Sequence, residues 1–444
     1  MGRCHGCVQG VPMTILPFRI YGLIDCNSFF ASCEKLFRPD LKNKAVVVLS
    51  NNDGIVIARS PEAKQLGIPM GEAYFKIKRF VDRGQVIAFS SNYRLYGDMS
   101  GRVMRTLNQW TPSVEIYSID EAFLDLSGLG YDLDSIDSLM NEIVTTVKKW
   151  TGIPVSLGVG STMTLSKVAN DIVKKGCGTG NLLDPKRRQE ELGRLAVEDV
   201  WGIGRKLSPK MQKFGIRTAK DLAAIDPLWI RKKFSVVLER LVRELNGECC
   251  LDLTEVPPPR KNIQVSRSFH DATDDYQTLV EAVSSFAAKA CEKARSEGTA
   301  ASAVYVHLNT SWFKDGYVSV GRARGFDIPT AHTPEVIKAA LELLRSLYQS
   351  GPLYKKASVM LLELRDATAV QSQGLLFDLD AKTPEIREKE GRLMESFDQI
   401  NQTFGTGKLF FGSQGIKRDW RSASEHCSPN YTIRWDELPV AKAK

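Results

Sequence analysis

At 444 residues the chain is too long for one hydrophobic core, and roughly 150 residues per domain divides it into about three. Its composition, 43% hydrophobic and 25% charged, is that of a globular protein, and no apolar run approaches the ~20 residues of a membrane span, so a soluble protein is expected. The net charge of +8 is small for the length, but residues 186–247 hold 15 Lys and Arg against 8 Asp and Glu. Nearly all the excess therefore lies in one block, as on a phosphate-binding surface, although a solvated helical face would carry the same charge. Nine scattered cysteines, several inside apolar segments, fit a reducing compartment and point to the cytoplasm. Cys4 and Cys7 form a C-x-x-C without a second ligand pair at metal spacing, and residues 1–17 read as a loose leader with no secretory apolar core.

In chain order, FRIYGLI (18–24) is a β-prone run ending at Asp25, and NSFFASCEKLF then has helical spacing with Asn27 or Ser28 as its cap. KAVVVLS (44–50) is a buried strand and NNDG (51–54) a turn. VIARSPEAKQLG (56–67) is a strand running into a helix that ends at Gly67. A long helix is expected over 91–110, broken at Pro112. VEIYSIDEAFLDLSG (114–128) then alternates on both sides of Asp120 and Glu121 as a hairpin would. Residues 135–152 form an amphipathic helix, and VSLGVGS (155–161) is a strand feeding the helix TLSKVANDIVKK. The basic block 186–247 is helical, broken by WGIG and FGI. A linker at 248–262 carries three consecutive prolines, and the following β-α-β-β-α-β order is that of a small ferredoxin-like domain. Residues 371–444 show little periodicity and read as a tail with short recognition segments.

Carboxylates among apolar residues are costly unless paired, hydrogen-bonded or holding a metal. Asp25 ends one strand, and Asp120 and Glu121 lie in or beside a hairpin about 95 residues later. Adjacent side chains of a regular strand face opposite ways, so Asp120 and Glu121 share a site only if a strand end or turn re-aims one of them. Three such oxygen donors suit Mg²⁺ and phosphoryl displacement. Taken alone, the acidic pair reads first as ordinary turn residues.

The stretches IDCNSFFASCE, VVVLSNNDGIVIARSPEAKQLGIPMGE, SSNYRLYGDMSGRVM, EIYSIDEAFLDLSG and VSLGVGSTMTLSKVAND resemble, in this order, the Y-family translesion DNA polymerases, most closely their UmuC branch. The similarity runs from about residue 18 to the C-terminus. It implies an α+β, multidomain right-hand polymerase with palm (18–28 and 90–174), fingers (29–89), helical thumb with a helix-hairpin-helix (175–247), linker (248–261), ferredoxin-like little finger (262–370) and a partner-binding tail (371–444). It implies that Asp25, Asp120 and Glu121, with the backbone carbonyl of Cys26, hold two Mg²⁺ ions for nucleotidyl transfer from a dNTP to a primer 3′-hydroxyl. Phe30 matches the steric gate that collides with a ribose 2′-hydroxyl, and Phe29 would lie near the incoming nucleotide. Lys64 and Lys167 match lysines that face the triphosphate, while Pro61 stands where relatives often have Tyr.

In VEDVWGIGRKLSPKMQKFGIRTAKDL, Gly202 and Gly204 permit a tight turn whose backbone N–H groups can approach a DNA phosphate, and Arg205, Lys206, Lys210 and Lys213 add non-specific attraction. QGLLF (373–377) resembles the sliding-clamp pentapeptide, with Gln373, Leu376 and Phe377 as contacts and Gly374 where Leu is usual. Stretches further on resemble the UmuC tail and imply contact with a UmuD′ dimer and RecA. The expected function is error-prone, template-directed translesion synthesis in the SOS DNA-damage response. The rival readings are a catalytically silent DNA-binding scaffold at stalled forks and a nucleotidyl cyclase; a cyclase has no use for the basic block.

Overall fold

The computed structural model describes residues 19–129, 135–174, 178–253, 259–313, 316–368, 384–416, 420 and 424–440. They divide into two compact units, one within 1–50, 54–257 and 426–444, the other within 51–53 and 258–425. Among the described residues no helix is long and apolar enough to cross a membrane.

The first unit is built on a five-stranded sheet in the order Val114–Ile116, Glu121–Asp125, Tyr21–Cys26, Val155–Gly160, Thr179–Asn181. Tyr21–Cys26 runs antiparallel to both neighbours and is buried at every position, as expected for a central strand covered on both faces. Ile24, Leu124, Leu157 and Val159 join Leu95, Met99 and Val103 of the helix Tyr93–Leu107 and Ile143 and Val147 of the helix Ile136–Thr151 in one core. Gly152, at φ 74°, ends the latter helix in the left-handed conformation that glycine adopts without strain. The helix Phe29–Leu36 begins after Ser28, but Ser28 makes no side-chain cap bond and sits at φ 50°. The hydroxyl of Ser32 instead donates to the carbonyl of Asn27 at 2.7 Å. That bond ties the helix to the residue before it but is no substitute for the expected cap, which would accept from a backbone N–H.

The helix Met163–Val173 lies unusually close to this sheet. A Cβ at Gly158 would stand 2.1 Å from the Asn170 nitrogen and 2.3 Å from the Ser166 carbonyl oxygen. This approach lets the Asn170 amide donate to the carbonyls of Leu23 and Ser156, both at 2.9 Å. Gly158→Ala must push backbone against backbone. It is expected to cost about 3 kcal/mol, read as a lower midpoint of thermal unfolding, and an unchanged midpoint would contradict the packing.

A three-stranded sheet, Val56–Arg59, Ala45–Leu49, Val86–Ser90, carries its own small core with Ala63, Ile68 and Ile77. The segment 185–245 folds into short helices around Leu192, Val200, Met211, Leu222 and Val242, as its helical, basic composition predicts.

The second unit has the expected β-α-β-β-α-β order. Its antiparallel sheet runs Ser319–Thr330, Thr299–Asn309, Tyr354–Asp366, Ile263–Thr273, with the helices Tyr276–Ser296 and Thr333–Leu347 packed into its core. The segment beyond 371 departs from expectation, because Pro384–Phe404 is a 21-residue helix. Its apolar stripe is thin, so periodicity missed it. Met394 is buried and Phe397 stacks on Phe411 at 4.9 Å. A two-pronged Arg295–Asp398 ion pair at 2.7 and 2.8 Å, only 17% exposed on each side, fixes it to the helix Tyr276–Ser296.

Candidate active site

Asp25 is the fifth residue of the central strand and lies directly opposite Glu121, the first residue of the neighbouring one. Residues opposed across an antiparallel pair put their side chains on the same face, so these two carboxylates are neighbours. Asp120 belongs to the turn rather than the strand, which frees it from the alternation that would send it to the other face. Its backbone carbonyl accepts from the Cys26 N–H at 2.8 Å, pinning the turn to the strand end that carries Asp25. The Ser118 hydroxyl donates to Asp120 Oδ1 at 2.6 Å and accepts from the Glu121 N–H at 3.0 Å. One hydroxyl thus orders both acidic residues of the turn.

Asp25 is 2% exposed, and burial pushes its carboxyl up to about 7. Lys174 Nζ, 2.7 Å from Oδ2, pulls in the opposite direction, while Glu121 and Asp120 push further up. Lys167 Nζ donates to both oxygens of Glu121 at 3.0 Å and lies 4.9 Å from the centre of the Tyr117 ring and 5.6 Å from that of Trp201. Trp201, from the basic block, meets Tyr117 edge-on at 5.8 Å and so seats that block beside the carboxylates.

Lys174 and Trp201 were not singled out as site residues from the sequence, and neither was Asp171, which interacts electrostatically with Lys174, Lys167 and Glu121. The spacing of Lys167, Asp171 and Lys174 at one-turn intervals on the expected helix was the available signal.

The fold family implies a divalent metal, and the donor set fits one. Three hard carboxylates lie at one strand end; burial is the main cause of the raised proton affinity of Asp25, and Glu121 and Asp120 add a repulsion that a divalent cation relieves. The three are not closed into a finished cage. Among the described residues no three Asp, Glu, His or Cys side chains stand at metal-holding spacing, and Lys167 and Lys174 are paired with Glu121 and Asp25. The Cys26 thiol is buried in the core, so only its backbone could serve as a ligand.

Phe30 is half-buried and stacks on Tyr96, with ring centres 4.4 Å apart and planes 14° from parallel. Phe29 is 3% exposed and belongs to the core, which leaves its ring almost no surface to offer a nucleotide. Lys64 is exposed on the short helix Pro61–Gln65, which is capped by Ser60. Gly202 sits at φ 90°, and Gly204, Arg205, Lys206, Lys210 and Lys213 are all exposed. Lys210 and Lys213 line a cavity of 520 Å³ with Lys233, Phe214 and Val237. Gln373, Leu376 and Phe377 lie outside the described residues.

Opposed carboxylates on an antiparallel sheet, each paired with a lysine, and an exposed basic block seated on the same sheet are what a nucleotidyl-transfer enzyme acting on nucleic acid requires. The comparisons agree. Residues 24–171 match the impB/mucB/samB family, 260–374 its C-terminal domain, and 391–441 a domain of unknown function, DUF4113. Protein UmuC of Salmonella typhimurium is 44% identical over 425 residues, covering 94% of this chain and 99% of that protein. Protein SamB of Salmonella typhimurium is 43% identical over 95% of this chain and 100% of its own. DNA polymerase IV of Pelotomaculum thermopropionicum is 29% identical over 86% of this chain and 92% of its own. A solved Y-family DNA polymerase chimera built on Dbh shares the fold, with a TM-score of 0.64 and 22% identity over 78% of this chain and 99% of that one. The chain belongs to the impB/mucB/samB family of UmuC-type, Y-family translesion polymerases and is a DNA-directed DNA polymerase.

Proposed function

We propose that this polymerase extends primers past lesions in the SOS DNA-damage response, in the cytoplasm, with Asp25, Asp120, Glu121 and the carbonyl of Cys26 holding two Mg²⁺ ions. The observation that carries this reading is the cross-strand pairing of Asp25 with Glu121, with Asp120 tied to the same strand end. Bound there, Mg²⁺ would supply charge neutralisation at the reacting phosphates and a more acidic primer hydroxyl. The chain's own residues do the rest. Lys167, paired with Glu121 here, would be released to the triphosphate once that carboxylate is taken by a cation, exchanging one anionic partner for another. Phe30 excludes the ribose 2′-hydroxyl, and Lys64 adds positive charge from the fingers side.

The domains follow the boundaries implied by the family resemblance: palm 18–28 and 90–174, fingers 29–89, thumb 175–247, linker 248–261, little finger 262–370, and a C-terminal part at 371–444 for the UmuD′ dimer, RecA and, through residues 373–377, the sliding clamp. The thumb grips the primer-template backbone through Gly202, Gly204, Arg205, Lys206, Lys210 and Lys213. Replacing Lys210 and Lys213 together by alanine is expected to weaken duplex binding at all sequences alike, and to reduce the slope of log affinity against log salt by about two. Fluorescence anisotropy over a salt series reads both, and an unchanged slope places the grip elsewhere.

The reading itself is tested by insertion of one nucleotide opposite a template base. Insertion should require Mg²⁺ and stop on chelation. A protein that binds primer-template tightly but inserts nothing under any divalent cation would be the silent scaffold instead.

A further inference from the structure

The ring that stacks on Phe30 is held from an unexpected direction. Tyr96 is fully buried, and its hydroxyl donates to Glu34 Oε1 at 2.6 Å. Glu34 is also fully buried, five residues into the helix Phe29–Leu36 that begins with Phe29 and Phe30. Burial lifts its carboxyl to about 7, against the two hydroxyl bonds that favour the ionised form. The second of those bonds comes from Ser428, whose hydroxyl donates to the same oxygen at 3.0 Å across 394 residues of sequence.

Ser428 reaches the other helix as well. The Asn92 side-chain amide donates to the Ser428 carbonyl and hydroxyl, both at 3.1 Å, and to the Pro429 carbonyl at 3.3 Å. Asn92 in turn caps the helix Tyr93–Leu107, its Oδ1 accepting from the Leu95 N–H, and that helix carries Tyr96. The segment is anchored on both sides of the serine. His426 exchanges two 3.0 Å bonds with Ser90, and Tyr431 stacks on Phe37 at 4.8 Å. One buried hydroxyl from the C-terminal segment therefore joins the helix of Phe30 to the helix of its stacking partner.

We propose that Ser428, through Glu34 and Tyr96, is a positioning residue for the Phe30 gate, so that the C-terminal segment sets how strictly the polymerase rejects ribonucleotides. The proposal rests on reading Phe30 as the sugar gate. Its physical basis is that a gate works by collision: the ring must be held against the force of the incoming 2′-hydroxyl, and a shift well below 1 Å opens or closes the clearance. Phe30 stacks on Tyr96 and meets Tyr93 edge-on at 6.0 Å, and both tyrosines belong to the helix Tyr93–Leu107, so what fixes Tyr96 and the start of that helix bears directly on the gate. Tyr96 and Ser428 donate to the same buried carboxylate oxygen, so loss of the Ser428 hydroxyl removes one of the two bonds that hold the Glu34 carboxylate in place beneath Tyr96, together with its tie to Asn92.

The test compares kcat/KM for a deoxynucleotide and its ribonucleotide in the full chain on one primer-template. Phe30→Ala should collapse the discrimination, and if it does not, the gate reading falls and this inference with it. Ser428→Ala is expected to lower the discrimination about fivefold or more while deoxynucleotide insertion stays near wild type, and Ser428→Thr should restore it. Tyr96→Phe keeps the ring and removes the bond, so it gives the same reading if Ser428→Ala folds poorly. Discrimination at wild-type level in both variants, alongside its loss in Phe30→Ala, would overturn the inference and leave the gate reading intact.

Discussion

Asp120→Ala is expected to lower primer extension by about 10³-fold or more, the several kcal/mol of transition-state charge stabilisation that a metal site supplies. Primer-template affinity should stay close to wild type, since the proposed phosphate grip lies on the exposed lysines of the thumb. The reason is specific to the turn. Asp120 ends it just before the strand Glu121–Asp125 begins, and its carbonyl closes on the Cys26 N–H, so alanine preserves the backbone while deleting the side-chain oxygens. Burst kinetics and anisotropy on the same preparation separate the two effects. Extension within tenfold of wild type would remove Asp120 from the chemistry.

The second large effect concerns stability. Glu244 is fully buried, and its carboxylate takes three backbone N–H groups: Cys250 at 2.7 Å and Leu251 at 3.0 Å on one oxygen, Thr164 at 3.1 Å on the other. Its own carbonyl accepts from the Thr162 hydroxyl at 2.9 Å, and Thr162 caps the helix bearing Lys167 and Lys174. This one side chain therefore ties the last helix of the basic block and the start of the linker to the helix that supplies the site lysines. Glu244→Ala takes the acceptor from three backbone donors, of which the Thr164 N–H is buried and those of Cys250 and Leu251 half-buried, so a loss of about 2 kcal/mol or more is expected. The first denaturant-induced transition should move to lower concentration, with Glu244→Gln intermediate. A midpoint unchanged in Glu244→Ala would mean that the three donors find other partners.

The strand ends that carry Asp25 and Glu121 were legible in local pattern, whereas their joining into one site came from the family resemblance, since the acidic pair alone reads as turn residues. The β-prone run ending at Asp25 and the alternation around Asp120 and Glu121 each specify a strand end, and two strand ends in one antiparallel sheet bring their carboxylates together. The same patterns placed the helix Tyr93–Leu107 and the ferredoxin-like unit within a few residues. Pairings over long sequence separations were not legible. Nothing local to Lys174 marks it as the partner of Asp25, 149 residues earlier, and nothing in SPNY shows that Ser428 ends on Glu34. The helix Pro384–Phe404 escaped because its placement depends on one ion pair and a few apolar contacts rather than a broad stripe. Phe29 shows the converse limit. Beside Phe30 in sequence, it carries the same chemistry, but one position of helical rotation turns it into the core.

On the proposed mechanism Asp25 and Glu121, now paired with Lys174 and Lys167, would exchange those partners for metal shared with Asp120 when nucleotide arrives. The most direct measurement is anomalous scattering from Mn²⁺ in a crystal of the protein with primer-template DNA and a non-hydrolysable dNTP. Two manganese peaks are predicted, together touching all three carboxylates, with Lys167 moved from Glu121 to the triphosphate. Nucleotide seated against Phe30 with no manganese at the carboxylates, and both lysine pairs intact, would contradict the account.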